Sequence, residues 1–134
     1  QYNIAVVKTY AGFPTLRLMQ DINWDNIEGF DRHCQSIWYM PQEYKDLDIA
    51  QHVLELCKTQ AELQRVGEEL LLFADRELLD LLRYLKYFVD TMRKNKVVWG
   101  LGRGSSVASY VLYLLGVHKI NSMYYDLDIK EFLK

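Results

Sequence analysis

The sequence predicts an α+β fold that is mostly helical, with an N-terminal β-hairpin and a short strand that leads into a glycine-rich loop and a helix. Three observations predict it. Residues 3–19 carry two strand-like apolar stretches around a turn, residues 61–95 carry apolar side chains at helical spacing, and residues 97–115 change from β-branched to glycine-rich to apolar. We expect residues 1–40 to form a β or irregular segment and residues 41–134 to form a single compact unit.

The elements follow in order along the chain. Residues 11–14 provide the turn of the hairpin, and residues 20–40 are interpreted as a polar connection. Asp48 can cap a helix whose apolar face runs through residues 49–57. Residues 61–95 fit two helices or one bent helix. The acidic pair Glu68-Glu69 is expected near a helix start, where carboxylates suit the helix dipole.

Composition restricts the function classes. The 134 residues are 50% hydrophobic and carry a net charge of −2, so the chain as a whole is not a simple basic coat for nucleic acid. No apolar run reaches the length of a membrane-spanning helix. Two cysteines are too few for a disulfide framework, which predicts a reducing, cytoplasmic environment. Because residue 1 is Gln rather than Met, we expect a trimmed chain or a piece of a longer one.

No metal ligand and no catalytic residue is predicted. The stretch at residues 20–40 superficially resembles a calcium loop, but position twelve counted from Asp21 holds Arg32 rather than Glu. His52 and Cys57 are five residues apart on a predicted helix and do not share a face. Three histidines without an evident orienting partner also make a serine triad a weak hypothesis.

A candidate phosphate-binding loop follows the predicted strand at residues 97–99. Glycines let the backbone approach an anion, a helix N-terminus offers unpaired N–H groups, and an arginine fork suits phosphate oxygens. The candidate binding residues are Gly102, Arg103, Gly104, Ser105 and Ser106. Neither a Walker A loop, a dinucleotide fingerprint nor a G-x-S-x-G elbow matches. The alternative is a tight connection between the strand and the helix, in which the glycines only turn the chain.

Basic residues surround this loop. Between Asp90 and Asp126 the sequence has no acidic residue, and the interval also holds five positive charges, one of them Arg103. The other four form the basic patch: Arg93, Lys94, Lys96 and Lys119. A solvated surface usually mixes signs, so the patch indicates a phosphate ligand, either a nucleotide or a nucleic-acid backbone.

At this loop the sequence resembles the C-family replicative DNA polymerases of bacteria, the alpha subunit of DNA polymerase III. That family carries a Gly-x-Gly-Arg-Gly-Ser loop in its palm, then an apolar helix, a Leu-Gly pair, a Tyr-x-Leu segment and a Phe-Leu pair. The matching residues here are Gly100 with Gly102 to Ser105, then Ser109 to Leu114, Leu115-Gly116-Val117, Tyr125 with Leu127, and Phe132-Leu133. The resemblance covers about the last fifty residues and becomes weaker towards Trp38.

The resemblance implies that residues 102–106 lie where the family binds the triphosphate of the incoming nucleotide. It also implies two magnesium ions held by aspartates that follow the Phe-Leu segment. These aspartates are expected to lie beyond Lys134, so magnesium is expected only if a partner chain completes the site. Asp126 and Asp128 fall too early for that role and are interpreted as surface carboxylates.

Three hypotheses remain open. The chain is part of a polymerase that binds deoxynucleotide triphosphate or DNA, with the remainder of the enzyme supplying the aspartates and the chain alone inactive. Alternatively, it is a stand-alone, non-catalytic relative that binds nucleotide, DNA or a replisome protein. The third hypothesis is a helical adaptor unrelated to nucleotides. None of the three involves a membrane.

Overall fold

The computed structural model describes residues 27–100 and 104–134. Within these ranges the chain forms six α-helices and two short 3₁₀ helices. The α-helices are α1 (Ile27–Ser36), α2 (Gln42–Lys45), α3 (Ile49–Glu55), α4 (Gln60–Asp75), α5 (Leu79–Lys94) and α6 (Tyr110–Leu115). The first 3₁₀ helix spans Ser105–Ala108 and the second Ile129–Glu131. None of these helices has both the length and the apolar character needed to cross a bilayer.

The predicted mixed α+β fold is wrong for the described residues, which contain helices and no strand. Residues 97–99 do not form the expected strand because the amide of the first of them, Val97, is used to end α5. Lys96 turns the chain at φ 56°, and the N–H of Val97 donates to the Met92 carbonyl at 2.9 Å, which closes the end of α5. Residues 27–36, predicted as part of a polar connection, form α1. The hairpin predicted at residues 3–19 lies outside the described residues.

The helix starts follow from local hydrogen bonds. The Asp48 side chain accepts from the amide of Gln51 at 3.1 Å, so the predicted cap of α3 is confirmed. Thr59 and Glu62 form a reciprocal capping box at the start of α4. The periodic block at residues 61–95 is divided between α4 and α5, which confirms the two-helix alternative.

Helix α6 lies at the centre of the fold, in contact with α3, α4 and α5. A short helix that is apolar on all sides must be buried by its neighbours. The shared core comprises Ile49 and Val53 of α3, Val66, Leu70 and Phe73 of α4, Leu82 of α5, and Tyr110, Val111, Leu112 and Leu115 of α6. The helix that follows the glycine-rich loop is therefore fixed on three sides.

Gly116 ends α6 in the left-handed conformation, at φ 82°. A Cβ atom there would lie 3.3 Å from Cζ of Arg93, whose guanidinium packs on this glycine. We expect Gly116→Ala to lower the free energy of unfolding by about 1–2 kcal/mol, because a side chain is strained at positive φ. Urea denaturation followed by circular dichroism measures the change.

Gly67 provides the matched control for this substitution. It lies inside α4, and a Cβ atom there meets no other atom within 4 Å. Gly67→Ala should raise stability by about 0.5–1 kcal/mol, because alanine loses less backbone entropy in a helix. Equal effects of the two substitutions on the free energy of unfolding would show that stability does not require the left-handed conformation of Gly116.

Candidate functional site

The described part of the candidate loop lies at the surface. Gly104 and Ser105 are exposed and Ser106 is half-buried, while Gly102 and Arg103 lie outside the described residues. Gly104 is extended, at φ 177°, and leads directly into the first 3₁₀ helix. Within the described part of the chain, the amides of Gly104 and Ser105 make no backbone hydrogen bond.

The segment that follows the first 3₁₀ helix is held by the carboxylate of Glu69, which is fully buried in α4. Oε2 accepts from Ser109 Oγ at 2.7 Å and from the Val111 amide at 3.0 Å. Oε1 accepts from the Tyr110 amide at 2.7 Å. Hydrogen bonds to a charged acceptor are the strong ones, and a carboxylate at a helix start also suits the helix dipole. Glu69 thus fixes the first turn of α6.

Arg65 compensates the charge of Glu69. Its Nε donates to Glu69 Oε1 at 2.8 Å, one turn along α4. The same guanidinium donates to the carbonyls of Ala108 at 2.8 Å and Leu127 at 2.7 Å. One buried ion pair therefore ties α4 to the end of the first 3₁₀ helix and to the segment before the second. Such a pair costs desolvation energy, which its full set of hydrogen bonds offsets.

These contacts correct one expectation from the sequence. The start of α6 was expected to offer unpaired N–H groups to an anion, but the amides of Tyr110 and Val111 donate to Glu69. The amide of Leu112 donates to Ser109 Oγ at 3.2 Å. Any anion at this loop must therefore meet the residues before Ala108 rather than the start of α6.

His118 fixes the segment that follows α6. Its Nδ1 accepts from the amide of Ile120 at 3.2 Å, so Nε2 carries the proton and donates to the Ser109 carbonyl at 3.0 Å. Burial lowers the pKa of His118, although the Ser109 and Ser106 carbonyls act in the opposite direction. His118 is thus a neutral side chain that joins the segment after α6 to the turn before it.

The structure divides the predicted basic patch. Arg93 and Lys119 line one open cleft of about 590 Å³ together with Trp99. Lys94 lines a different cleft that also contains Asp90. Lys96 is exposed in the turn after α5. Of the four residues, only Arg93 and Lys119 therefore share a cleft among those described here.

Comparison with known proteins gives the family. The family model described as "Bacterial DNA polymerase III alpha NTPase domain" matches residues 42–134. The chain belongs to this family. It is 33% identical over 75 residues to the DNA polymerase III subunit alpha of Halalkalibacterium halodurans, an alignment covering 56% of this chain and 7% of that protein. No solved structure matches the chain.

The resemblance to the polymerase III alpha family is thus confirmed, and the matched range includes the glycine-rich loop. The chain spans 7% of the length of the relative from H. halodurans. The assignment of residues 102–106 to triphosphate remains a prediction.

The described residues contain no group of three His, Cys, Asp or Glu side chains that could hold a metal ion. Asp126 and Asp128 are exposed, and Asp128 Oδ1 accepts from the amide of Lys130 at 2.9 Å to cap the second 3₁₀ helix. Their interpretation as surface carboxylates agrees with this placement.

The sequence interpretation missed the roles of Arg65 and Glu69. It placed Glu69 near a helix start, whereas the residue lies in the middle of α4 and caps a different helix, α6. The available signal was an arginine and a glutamate four residues apart among the apolar residues Val66 and Leu70. Charged side chains on an apolar helix face are buried as pairs.

Proposed function

We propose that this chain takes part in DNA replication as a segment of a polymerase III alpha-type enzyme. In this proposal, its loop at residues 102–106 contacts the phosphates of a deoxynucleotide triphosphate or of DNA. The observation that supports it is the exposure of Gly104 and Ser105, whose amides make no hydrogen bond within the described part of the chain. They lie shortly before the segment from Ser109 to Val111 that Glu69 fixes.

Electrostatics supports a phosphate ligand at this loop. No acidic residue occurs between Asp90 and Asp126, and the charge of Glu69 is compensated by Arg65. A phosphate beside Ser105 would meet backbone N–H groups, two hydroxyls and the guanidinium of Arg103. Charge-assisted hydrogen bonds from such donors are the usual means of phosphate recognition.

The loop would bind phosphate without performing the transfer. Two-metal phosphoryl transfer needs clustered carboxylates, and the described residues do not provide such a cluster. We assign the magnesium-holding aspartates to a partner chain or another segment of the enzyme. The cytoplasm suits this role, in keeping with the free thiols of Cys34 and Cys57. The isolated chain should therefore bind phosphate ligands without extending a primer in the presence of magnesium.

The substitution Arg103→Ala tests whether the loop binds phosphate. We expect binding of pyrophosphate and of deoxythymidine triphosphate, measured by titration calorimetry, to weaken about tenfold or more. A charge-assisted hydrogen bond contributes about 1.5–3 kcal/mol, and 1.4 kcal/mol corresponds to tenfold. The weaker binding should also depend less steeply on salt, because one phosphate contact is lost.

Arg32→Ala is the matched control. Arg32 lies on α1, and within the described part of the chain its side chain makes an exposed ion pair with Glu77 at 3.4 Å. Its removal should leave the affinity for both ligands within about twofold, since exposed ion pairs contribute little. Wild-type affinity in Arg103→Ala, or equal losses in the two variants, would contradict the proposal.

A further inference from the structure

Three consecutive backbone carbonyls, at residues 107–109, lead from the glycine-rich loop into α6. Each of them accepts a hydrogen bond from a side chain of another part of the chain. The donors are Ser122 Oγ to Val107 at 2.8 Å, Arg65 Nη2 to Ala108 at 2.8 Å, and His118 Nε2 to Ser109 at 3.0 Å. The backbone that directly follows the candidate loop is therefore positioned by three side chains from outside it.

Only one of these three donors, His118, changes its protonation state near neutral pH. The guanidinium of Arg65 stays charged, and the hydroxyl of Ser122 does not titrate. An imidazole has an ordinary pKa of about 6.5 and gains a second N–H when it takes up a proton. One of the three contacts can therefore depend on pH.

The surroundings of His118 fit the neutral ring. Its Nδ1 accepts from the amide of Ile120 at 3.2 Å, the ring lies 6.2 Å from that of Tyr113, and the residue is 3% exposed. A proton on Nδ1 would turn this acceptor into a donor that faces another N–H group. The cationic ring therefore cannot keep both of its present hydrogen bonds. Burial lowers the pKa of His118, which agrees with this arrangement.

The charged groups around His118 act in both directions. Arg93 of α5 and Lys119 line the same cleft as His118, and their positive charges disfavour a second cation there. The carboxylate of Glu69, on α4, favours a cation, but Arg65 already compensates its charge. The cleft is open, so it gives a cationic ring a route to water.

We propose that His118 is a proton-sensitive positioning residue for the glycine-rich loop, and that protonation of its ring releases the segment after α6 and weakens phosphate binding at residues 102–106. The loss of affinity follows because a loop with fewer fixed neighbours loses more entropy when it binds a ligand. This inference rests on the proposed function, since the affinity of the loop is the property expected to change.

Titration of the 134-residue chain with pyrophosphate at about pH 7.5 and at about pH 5 tests this inference, with His118→Gln for comparison. Glutamine can donate to the Ser109 carbonyl but takes up no proton in this range. We expect equal affinities at the higher pH. At the lower pH the wild type should bind about two- to tenfold more weakly than the variant, the range for loss of one hydrogen bond.

Protonation of pyrophosphate affects both proteins equally, so it cancels in the ratio of their affinities. A ratio that is the same at the two pH values would overturn the proposal. His52→Gln is the matched control, because His52 lies on α3 and donates to none of the three carbonyls. A change of the ratio with pH as large for His52→Gln as for His118→Gln would also overturn the proposal.

NMR of the wild type keeps the test decisive even if His118→Gln fails to fold. The signals of the His118 ring and of the Ile120 amide should move with one common midpoint, below about pH 6.5, as the pH is lowered. An Ile120 amide that does not respond when the ring takes up its proton would overturn the proposal. A ring that stays neutral until the chain unfolds would overturn it as well.

The role of His118 and the proposed function of the loop can fail separately. A chain that binds pyrophosphate with a ratio to His118→Gln that is independent of pH would overturn the role of His118 and leave the loop proposal standing. A chain that binds no pyrophosphate at either pH would overturn the proposed function, while a common midpoint for His118 and Ile120 would still show that their contact depends on the proton.

Discussion

Glu69→Ala is expected to lower the free energy of unfolding by about 3–5 kcal/mol, the usual cost of breaking a buried ion pair. The substitution removes the acceptor of four donors: the Nε of Arg65, the hydroxyl of Ser109, and the amides of Tyr110 and Val111. It also leaves Arg65 with an uncompensated charge. Against a typical total of about 5–15 kcal/mol, this loss is a large share of the stability. Urea denaturation followed by circular dichroism measures it.

Glu68→Ala is the matched control, because Glu68 precedes Glu69 on α4 and is exposed. Its substitution should change the stability by no more than about 0.5 kcal/mol. A Glu69→Ala variant as stable as Glu68→Ala would show that the buried carboxylate does not hold the start of α6.

Phe73→Ala is expected to cost about 3–5 kcal/mol, the range for deleting a buried aromatic ring. Phe73 is fully buried in α4, in the core shared with α6, and its ring lies 6.3 Å from that of Phe132. The remaining neighbours are fixed by three helices and can fill the cavity only partly. Urea denaturation followed by circular dichroism measures this loss of stability as a shift of the unfolding midpoint to a lower urea concentration.

Leu71, on the same helix, provides the matched control for the Phe73 substitution. Its side chain is 68% exposed, so Leu71→Ala removes little buried surface and should change stability by no more than about 0.5 kcal/mol. A loss for Phe73→Ala no larger than that for Leu71→Ala would mean that α4 does not pack as described.

Local patterns predicted the helices well. The cap at Asp48 and the division of residues 61–95 into two helices depend on neighbours three or four residues apart, which a sequence shows directly. The strand at residues 97–99 was wrong because β-branched residues favour an extended backbone but do not supply a partner strand. At this position the chain closes α5 instead, through the Val97 amide.

The candidate site was predictable only in part. Glycines, serines and a cluster of cations are local features, and they pointed to the family that the comparison confirmed. The contact of Glu69 with Tyr110 joins residues 41 positions apart, and no local pattern reports it. The same holds for the cleft, since Arg93, Trp99 and Lys119 come from separate elements that only the packing of α5 against α6 brings together.

Glu69 occupies the amides at the start of α6, so a phosphate at this loop should meet the residues before Ala108 instead. Amide chemical shifts recorded by NMR during a pyrophosphate titration test it most directly. We expect shifts at residues 102–106, and unchanged signals at Tyr110 and Val111, whose amides donate to Glu69. Shifts at Tyr110 and Val111 with none at residues 102–106 would contradict the claim.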